Sequence, residues 1–413
     1  MTTISTEQPP VAAILALGLT QIIGYGTLYY SFSIFAPDMA LGLNWSSEWI
    51  FGVLSAALLI GGLVAPTMGK CIDRFGAGRV MTGGSAIAAA ALVACAFFSG
   101  KVAFVVALIA IETASNLVQY GAAFALLVQI NPKVAQRSIT YLTLIAGFAS
   151  TIFWPITTAL HARMSWQEVY LVFAALNLLI CLPVHALLAR RAGSEATGTP
   201  EATANKRVEG KLPGSARRLG FIFMVVGFSV QSLLSSAILI HMVPILSGLG
   251  LGTSAALVGS LYGPAQVLSR FTNMVFGGKL APVRLAMVSA ALMSGASALL
   301  AFSPASASNA IVFAAVFGLG GGIFSIAAGT LPLWLFGSEG YGQLQGKAMA
   351  ARLAVSAIAP FALALAMELV GVTWSLAITA IVGSIAIFAF MAIGRLADLL
   401  DRTHHIRGAA RRQ

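Results

Sequence analysis

The apolar run KVAFVVALIAIETASNLVQYG, residues 101–121, holds one carboxylate, Glu112, followed by Asn116 and Gln119 at i+4 and i+7. On a helix that spacing stacks all three on one face. An ionisable group is costly in lipid and faces a bundle interior or water, so Glu112 could take up and release a proton while the two amides hydrogen-bond a polar solute. The alternative is a structural acid held by neighbouring helices. Further along, Gln231, His241 and Arg270 interrupt other apolar runs. Arg270 could bind an anion, or could snorkel its head to the membrane surface. QIIGYGTLYYSF, residues 21–32, places Gln21, Tyr25 and Tyr29 around two glycines, and Trp154 sits beside Pro155 in FWPITTAL. These residues are the expected lining of a substrate cavity. Pro155 and Pro332 are expected to kink or break their helices.

Other chemistry is missing from the pattern. No Ser/His/Asp set and no His/Glu metal spacing occurs within any apolar run, so neither an enzyme nor a metal or cofactor site is expected. The three cysteines, Cys71, Cys95 and Cys181, fall in different segments. They are not expected to meet as a thiolate cage, and no disulfide is implied.

The elements that must position these residues follow from composition. Hydrophobic residues make up 58% of 413, only 9% are charged, and mean hydropathy is +0.90. Such a chain cannot coat a soluble globule and reads as an integral membrane protein. The apolar runs are about 20 residues or longer, as a bilayer-spanning helix requires, and strand-like alternation is absent, which excludes a β-barrel. Twelve spans are expected, at 11–37, 48–69, 79–99, 102–130, 138–161, 167–189, 220–246, 253–277, 285–303, 309–336, 348–370 and 372–394. The first run is too long for a signal-peptide h-region and is expected to stay in the mature protein.

With both termini in the cytoplasm, 21 of the 24 Lys and Arg residues fall in cytoplasmic segments, as positive-inside retention demands. Lys101 and Arg163 fall outside, and Arg270 lies within a span. The net charge of +11 therefore reports topology, and no nucleic-acid partner is expected. Residues 190–219 are rich in Gly, Ala, Pro, Thr and charge, and read as a flexible cytoplasmic linker. They divide the chain into a tail of residues 1–10, a six-helix half over 11–189, a second half over 220–394 and a basic tail over 395–413. Two six-helix halves suggest a carrier that rocks about a central site.

The stretch GKCIDRFGAGR then gains meaning. It follows the second span and reads Gly69-x-x-x-Asp73-Arg74-x-Gly76-x-x-Arg79, which resembles the loop 2-3 signature of the major facilitator superfamily. Gly69 and Gly76 permit a tight turn, and Asp73 can face a positive helix end. The resemblance implies that this end belongs to the eleventh helix, starting near Ala348, with Arg352 in its first turn or so as partner, and that the contact acts as a cytoplasmic gate. Lys70, Arg74 and Arg79 read equally well as topology anchors. The corresponding FGGKLAPVR, residues 276–284, keeps the glycines and cations but has no acid.

The resemblance implies an all-α fold of twelve transmembrane helices in two pseudo-symmetric halves, working as a monomer in the bilayer on a small-molecule substrate, with the proton as coupling ion. GTLYYSF, GFASTIFWP and GTLPLWLFGSEGYG look like a bacterial branch of inner-membrane efflux carriers, some associated with arsenite and antimonite resistance. The signatures of drug antiporters are reduced here to Gly147 and Pro155, with Asn116 where their span-four arginine stands. The expectation is proton-coupled efflux of a small toxic compound, a trivalent arsenic or antimony species or a drug-like molecule. The alternative is proton-coupled uptake of a small organic anion through Arg270. A receptor would need an output module that the short soluble segments do not provide.

Overall fold

The computed structural model describes residues 8–97, 100–196, 207–277 and 280–410. Among them the secondary structure is helical, with one isolated antiparallel bridge between Glu209 and Gly337. Lys206, Lys279, Arg411 and Arg412, all counted above as cytoplasmic cations, lie outside the described residues.

Six helices form the first half: α1 Val11–Leu43, α2 Trp49–Phe75, α3 Ala77–Phe97, α4 Lys101–Ile130, α5 Ala135–His161 and α6 Trp166–Ala192. The second half begins with α7 Gly214–Leu251 and α8 Tyr262–Phe276. Then come α9 Pro282–Phe302 and α10 Ala307–Phe336. A long helix from Tyr341 to Ala410 is interrupted at Gly371, where φ 81 and ψ 168 are non-helical. That residue separates α11, 341–370, from α12, 372–410. Ten described helices are long and apolar enough to cross a membrane by length and composition. Twelve segments follow once the Gly371 turn is counted and α8 is included. The helix of α8 is only 15 residues long, because the expected eighth span is divided into Ala255–Gly259 and Tyr262–Phe276.

Local signals explain most boundaries. Asn44 closes α1 in the left-handed region at φ 49. Ser165 and Glu168 form a reciprocal capping box that starts α6. Pro282 opens α9 at a position where its missing N–H costs nothing. Gly76, at φ 87, makes the whole turn between α2 and α3.

Several boundaries differ from the sequence reading. Helix α2 continues to Phe75, so Gly69, Cys71 and Asp73 lie on its last turns and not in a loop. Helix α5 is interrupted at Gly147–Phe148, ahead of Pro155, which sits inside a continuous helix. Helix α10 runs unbroken through Pro332. Helix α1 bulges at Gly26–Tyr30 into a π-type segment, with Ser31 N–H donating five residues back to Gly26. A Cβ on Gly26 would lie 2.0 Å from the Phe153 ring, so glycine there lets α1 and α5 touch.

Of the expected linker, residues 197–206 lie outside the described residues, and the stretch from 207 onward is tied to α10. Lys211 and Leu212 donate their N–H groups to the carbonyls of Trp334 and Leu335, each at 3.0 Å, and Arg217 donates to Phe336 O at 2.8 Å. These groups occupy carbonyls at the C-terminal end of α10, which a helix cannot satisfy internally. Helix α7 accordingly begins at Gly214.

The chain folds as two units, Met1–Val208 with Gly340–Ala350, and Glu209–Glu339 with Ala351–Gln413. In the first, α3 packs between α4 and α6, and α1 packs on α5. Its core is aromatic, with Phe35, Phe104, Phe153, Tyr170 and Phe173 buried. In the second, α10 packs against α7, α8 and α9.

Candidate functional site

Asp73 stands at the N-terminus of α11. Gly342 N–H donates to Asp73 Oδ1 at 2.9 Å and Gln343 N–H to Oδ2 at 2.8 Å. Both amides belong to the first turn, which lacks internal acceptors, and the helix dipole favours the negative charge. Helix α11 therefore starts at Tyr341 and not near Ala348. Glycine permits the approach: a Cβ on Gly69 would lie 2.3 Å from Gly342 O, and one on Gly346 would lie 2.4 Å from Ala65 O. Gly342–Gly346 of α11 and Ala65–Gly69 of α2 thus cross through small residues four apart. Gln129 fixes the turn that follows, accepting Ala77 N–H at 2.8 Å and donating to Ile72 O at 3.3 Å. Arg74 lies over the Phe75 ring, and Arg79 is exposed.

Arg352 is not in the first turn of α11. It lies about three turns in, where its Nε donates to Ser232 Oγ of α7 at 2.9 Å and its guanidinium sits 4.9 Å from the Phe324 ring centroid on α10. Arg270 of α8 is only 5% exposed and donates to Ser325 Oγ at 3.1 Å. Phe324 and Ser325 are consecutive, so two guanidiniums reach α10 at one level. The glycines of GLGGG receive the polar face of α8: Cβ atoms on Gly321 and Gly322 would lie 2.6 Å from Tyr262 Oη and 2.0 Å from Ser269 Oγ. Residues 210–338 contain no Asp or Glu.

Glu112 is buried at 5% exposure. Asn116 lies against α2, with its Nδ2 at 2.9 Å from the place a Gly61 Cβ would take. It lines a cavity of about 20 Å³, room for about one water, with Ala65, Gly69, Gly121, Gly342 and Met349. Gln119 does not continue the stripe. At φ −83 and ψ −166 it breaks α4 into Lys101–Val118 and Tyr120–Ile130. Gln21 covers the break, its Nε2 donating to Val118 O at 2.7 Å.

The expected aromatic lining is connected. Tyr25 lies 4.9 Å from Tyr120 and 6.3 Å from Tyr30, and Tyr30 contacts both Tyr29 and Trp154. Gln231 is buried and donates to Ser289 Oγ at 2.7 Å, which donates to Gly320 O at 2.8 Å. This ties α7 to α9 and α10. His241 turns to the carbonyl of Ala237 on its own helix.

Two polar contacts, a triad and a pair, escaped the sequence reading. His185, 1% exposed, bridges Ser85 Oγ at 2.8 Å and Thr20 Oγ1 at 3.0 Å, joining α6, α3 and α1. His161 and Asp38 pair at 2.8 Å between α5 and α1. A polar residue recurring among the small residues of α3 was the available signal for the first.

Comparison with curated protein sequences gives no match. Among solved structures, the chain is similar to the human organic anion transporter MFSD10 (TETRAN), with TM-score 0.66 and 16% identity, over 93% of this chain and 100% of that one. It is also similar to the proton:xylose symporter XylE bound to 6-bromo-6-deoxy-D-glucose, with TM-score 0.69 and 14% identity, over 92% and 95%. FucP in the outward conformation gives TM-score 0.69 and 14% identity, over 94% and 99%. These likenesses show the fold. The family model of the Major Facilitator Superfamily matches residues 17–360, and the chain, with its twelve helical segments and its Asp73 contact, belongs to that superfamily.

Proposed function

We propose that this multi-pass transporter is a proton-coupled carrier of a small organic anion, with Arg270 and Arg352 as the anion-binding groups. The observation that carries this reading is their convergence on Ser325 and Phe324 of α10. Burying a guanidinium is costly, and helices α7 to α10 carry cations without a single acid, a field that draws an anion. Guanidinium forks match carboxylates in a bidentate manner. One structural neighbour, an organic anion transporter, agrees with this class.

Direction follows from the membrane potential. Export of an anion is already favoured by an inside-negative potential, at about 2.3 kcal/mol per charge per 100 mV. Uptake needs a proton to cancel the charge, and buried Glu112 is the group suited to carry it. We therefore favour uptake over the efflux suggested by the sequence. The metalloid substrate has no supporting residue set: among the described residues no three His, Cys, Asp or Glu side chains could hold a metal ion, and Cys95 and Cys181 are buried in the hydrophobic core. The distribution of cations supports an inner-membrane location with both termini in the cytoplasm.

The test is uptake into proteoliposomes, acidic outside, of labelled mono- and dicarboxylates, sugars, arsenite and cationic drugs. Uptake of a carboxylate that disappears in Arg270→Gln supports the reading. Transport confined to sugars, arsenite or drugs overturns it.

A further inference from the structure

The break in α4 is made by a residue that does not need to break a helix. Gln119 is neither Gly nor Pro, yet ends one helix and starts the next. It stands eleven residues from Ile130, about 16 Å at 1.5 Å per residue, near the midplane of a ~30 Å hydrocarbon core. Non-helical backbone at that depth persists only when buried in protein or facing a polar cavity.

Two side chains at the break have unused hydrogen-bonding capacity. Gln21 is 1% exposed and its carboxamide is fixed there through Val118 O, but its Oε1 has no partner. Gln119 is 8% exposed, its side chain does not cap the following helix, and its Nε2 has no partner. These two atoms, an acceptor and a donor, do not bond to each other. Gly121, in the first turn of Tyr120–Ile130, adds an N–H that has no acceptor within its helix.

We propose that this break is a binding site for a substrate hydroxyl, received between Gln21 Oε1 and Gln119 Nε2. A hydroxyl both donates and accepts, and so completes both carboxamides. A carboxylate would meet the Gln21 oxygen and the C-terminal end of Lys101–Val118 with like charge, and an ammonium would meet the Gln119 donor and the N-terminal end of Tyr120–Ile130 in the same way. The neutral hydroxyl fits both helix ends. Sites built to hydrogen-bond a hydroxyl discriminate strongly against an analogue that lacks it, because the protein groups are then left unpaired. The substrate class is accordingly a hydroxylated acid. This deepens the organic-anion reading and rests on it only for the choice of acidic probes, since the break lies wholly within the first unit.

The experiment measures binding to purified full-length protein by calorimetry and thermal shift. Probes are L-malate against succinate, lactate against propionate, and neutral xylitol. The expected result is at least tenfold tighter binding of the hydroxylated acid in each pair, lost in Gln119→Met. That variant removes the unpartnered Nε2 donor together with its Oε1 and keeps the length of the side chain, so without ligand it should melt close to the wild-type temperature. Xylitol binding that is lost in Gln119→Met, with no acid bound, would keep the hydroxyl site and remove the anion reading. Equal binding within both pairs, discrimination that survives Gln119→Met, or no binding of any probe would overturn the site. Should Gln119→Met fail to fold, Gln21→Glu reads the same point, because its carboxylate keeps an acceptor but loses the anchor on Val118 and should reduce discrimination.

Discussion

Asp73 Oδ1 lies 2.9 Å from the backbone nitrogen of Gly342, a residue 269 positions further along the chain. The second carboxylate oxygen takes the next amide, so one charged group caps two N–H donors of α11. Asparagine keeps one acceptor and loses the charge. A hydrogen bond to a charged group is worth about 1.5–3 kcal/mol, roughly a tenfold or larger shift between conformations. Asp73→Asn should insert normally and lose most transport at matched expression. Gly69→Ala should match or exceed that loss, because its Cβ meets Gly342 O. The double variant should be little worse than either, since both substitutions break one contact. Full transport by Asp73→Asn would reduce the motif to a topology anchor.

The Asp73 contact was legible because Gly69 and Asp73 are conspicuous in an apolar chain. The start of α11 was not, because GSEGYGQ reads as a polar, glycine-rich loop and the acid that caps it comes from α2. That displacement put Arg352 beside Asp73, whereas it lies about three turns into α11, on Ser232 and Phe324. The Gln119 break was hidden for a related reason: glutamine carries no turn signal, and Gln21, which covers the exposed carbonyl, is distant in sequence. Twelve spans were readable from hydropathy alone, while the kinks assigned to Pro155 and Pro332 were not where the chain bends. Proline removes one hydrogen bond, which neighbouring groups in a bundle can replace.

His185 joins three helices through two hydroxyls. Its role in that network is to hold α1, α3 and α6 together, so His185→Ala should lower thermal stability by about 2–4 kcal/mol through the cavity and the lost bonds. Transport per folded molecule should remain near wild type. A folded, thermally unchanged variant with no transport would assign His185 to the transport cycle.

Arg352 offers a test of geometry apart from charge. Lysine keeps the cation but has neither the planar fork nor the flat face stacked on Phe324. Arg352→Lys should raise KM about tenfold for a carboxylate substrate with a smaller change in kcat, and Phe324→Leu should do so more weakly. If both variants leave KM unchanged, Arg352 does not contact the substrate.

Glu112 separates coupling from structure. If its carboxyl carries a proton in each cycle, Glu112→Gln keeps the size and most of the hydrogen-bonding capacity but cannot titrate. Movement driven by a pH gradient should then fail, while exchange of labelled for unlabelled substrate at zero gradient continues, because exchange needs no net proton transfer. A purely structural acid predicts the reverse: lower expression or melting temperature, with normal pH dependence in whatever protein folds. The measurement is a pH jump on everted vesicles with wild type and Glu112→Gln matched for expression, read beside exchange in the same vesicles. Normal gradient-driven movement by the glutamine variant would exclude Glu112 as the obligatory proton carrier. It would also remove the charge-cancelling step on which the uptake direction depends.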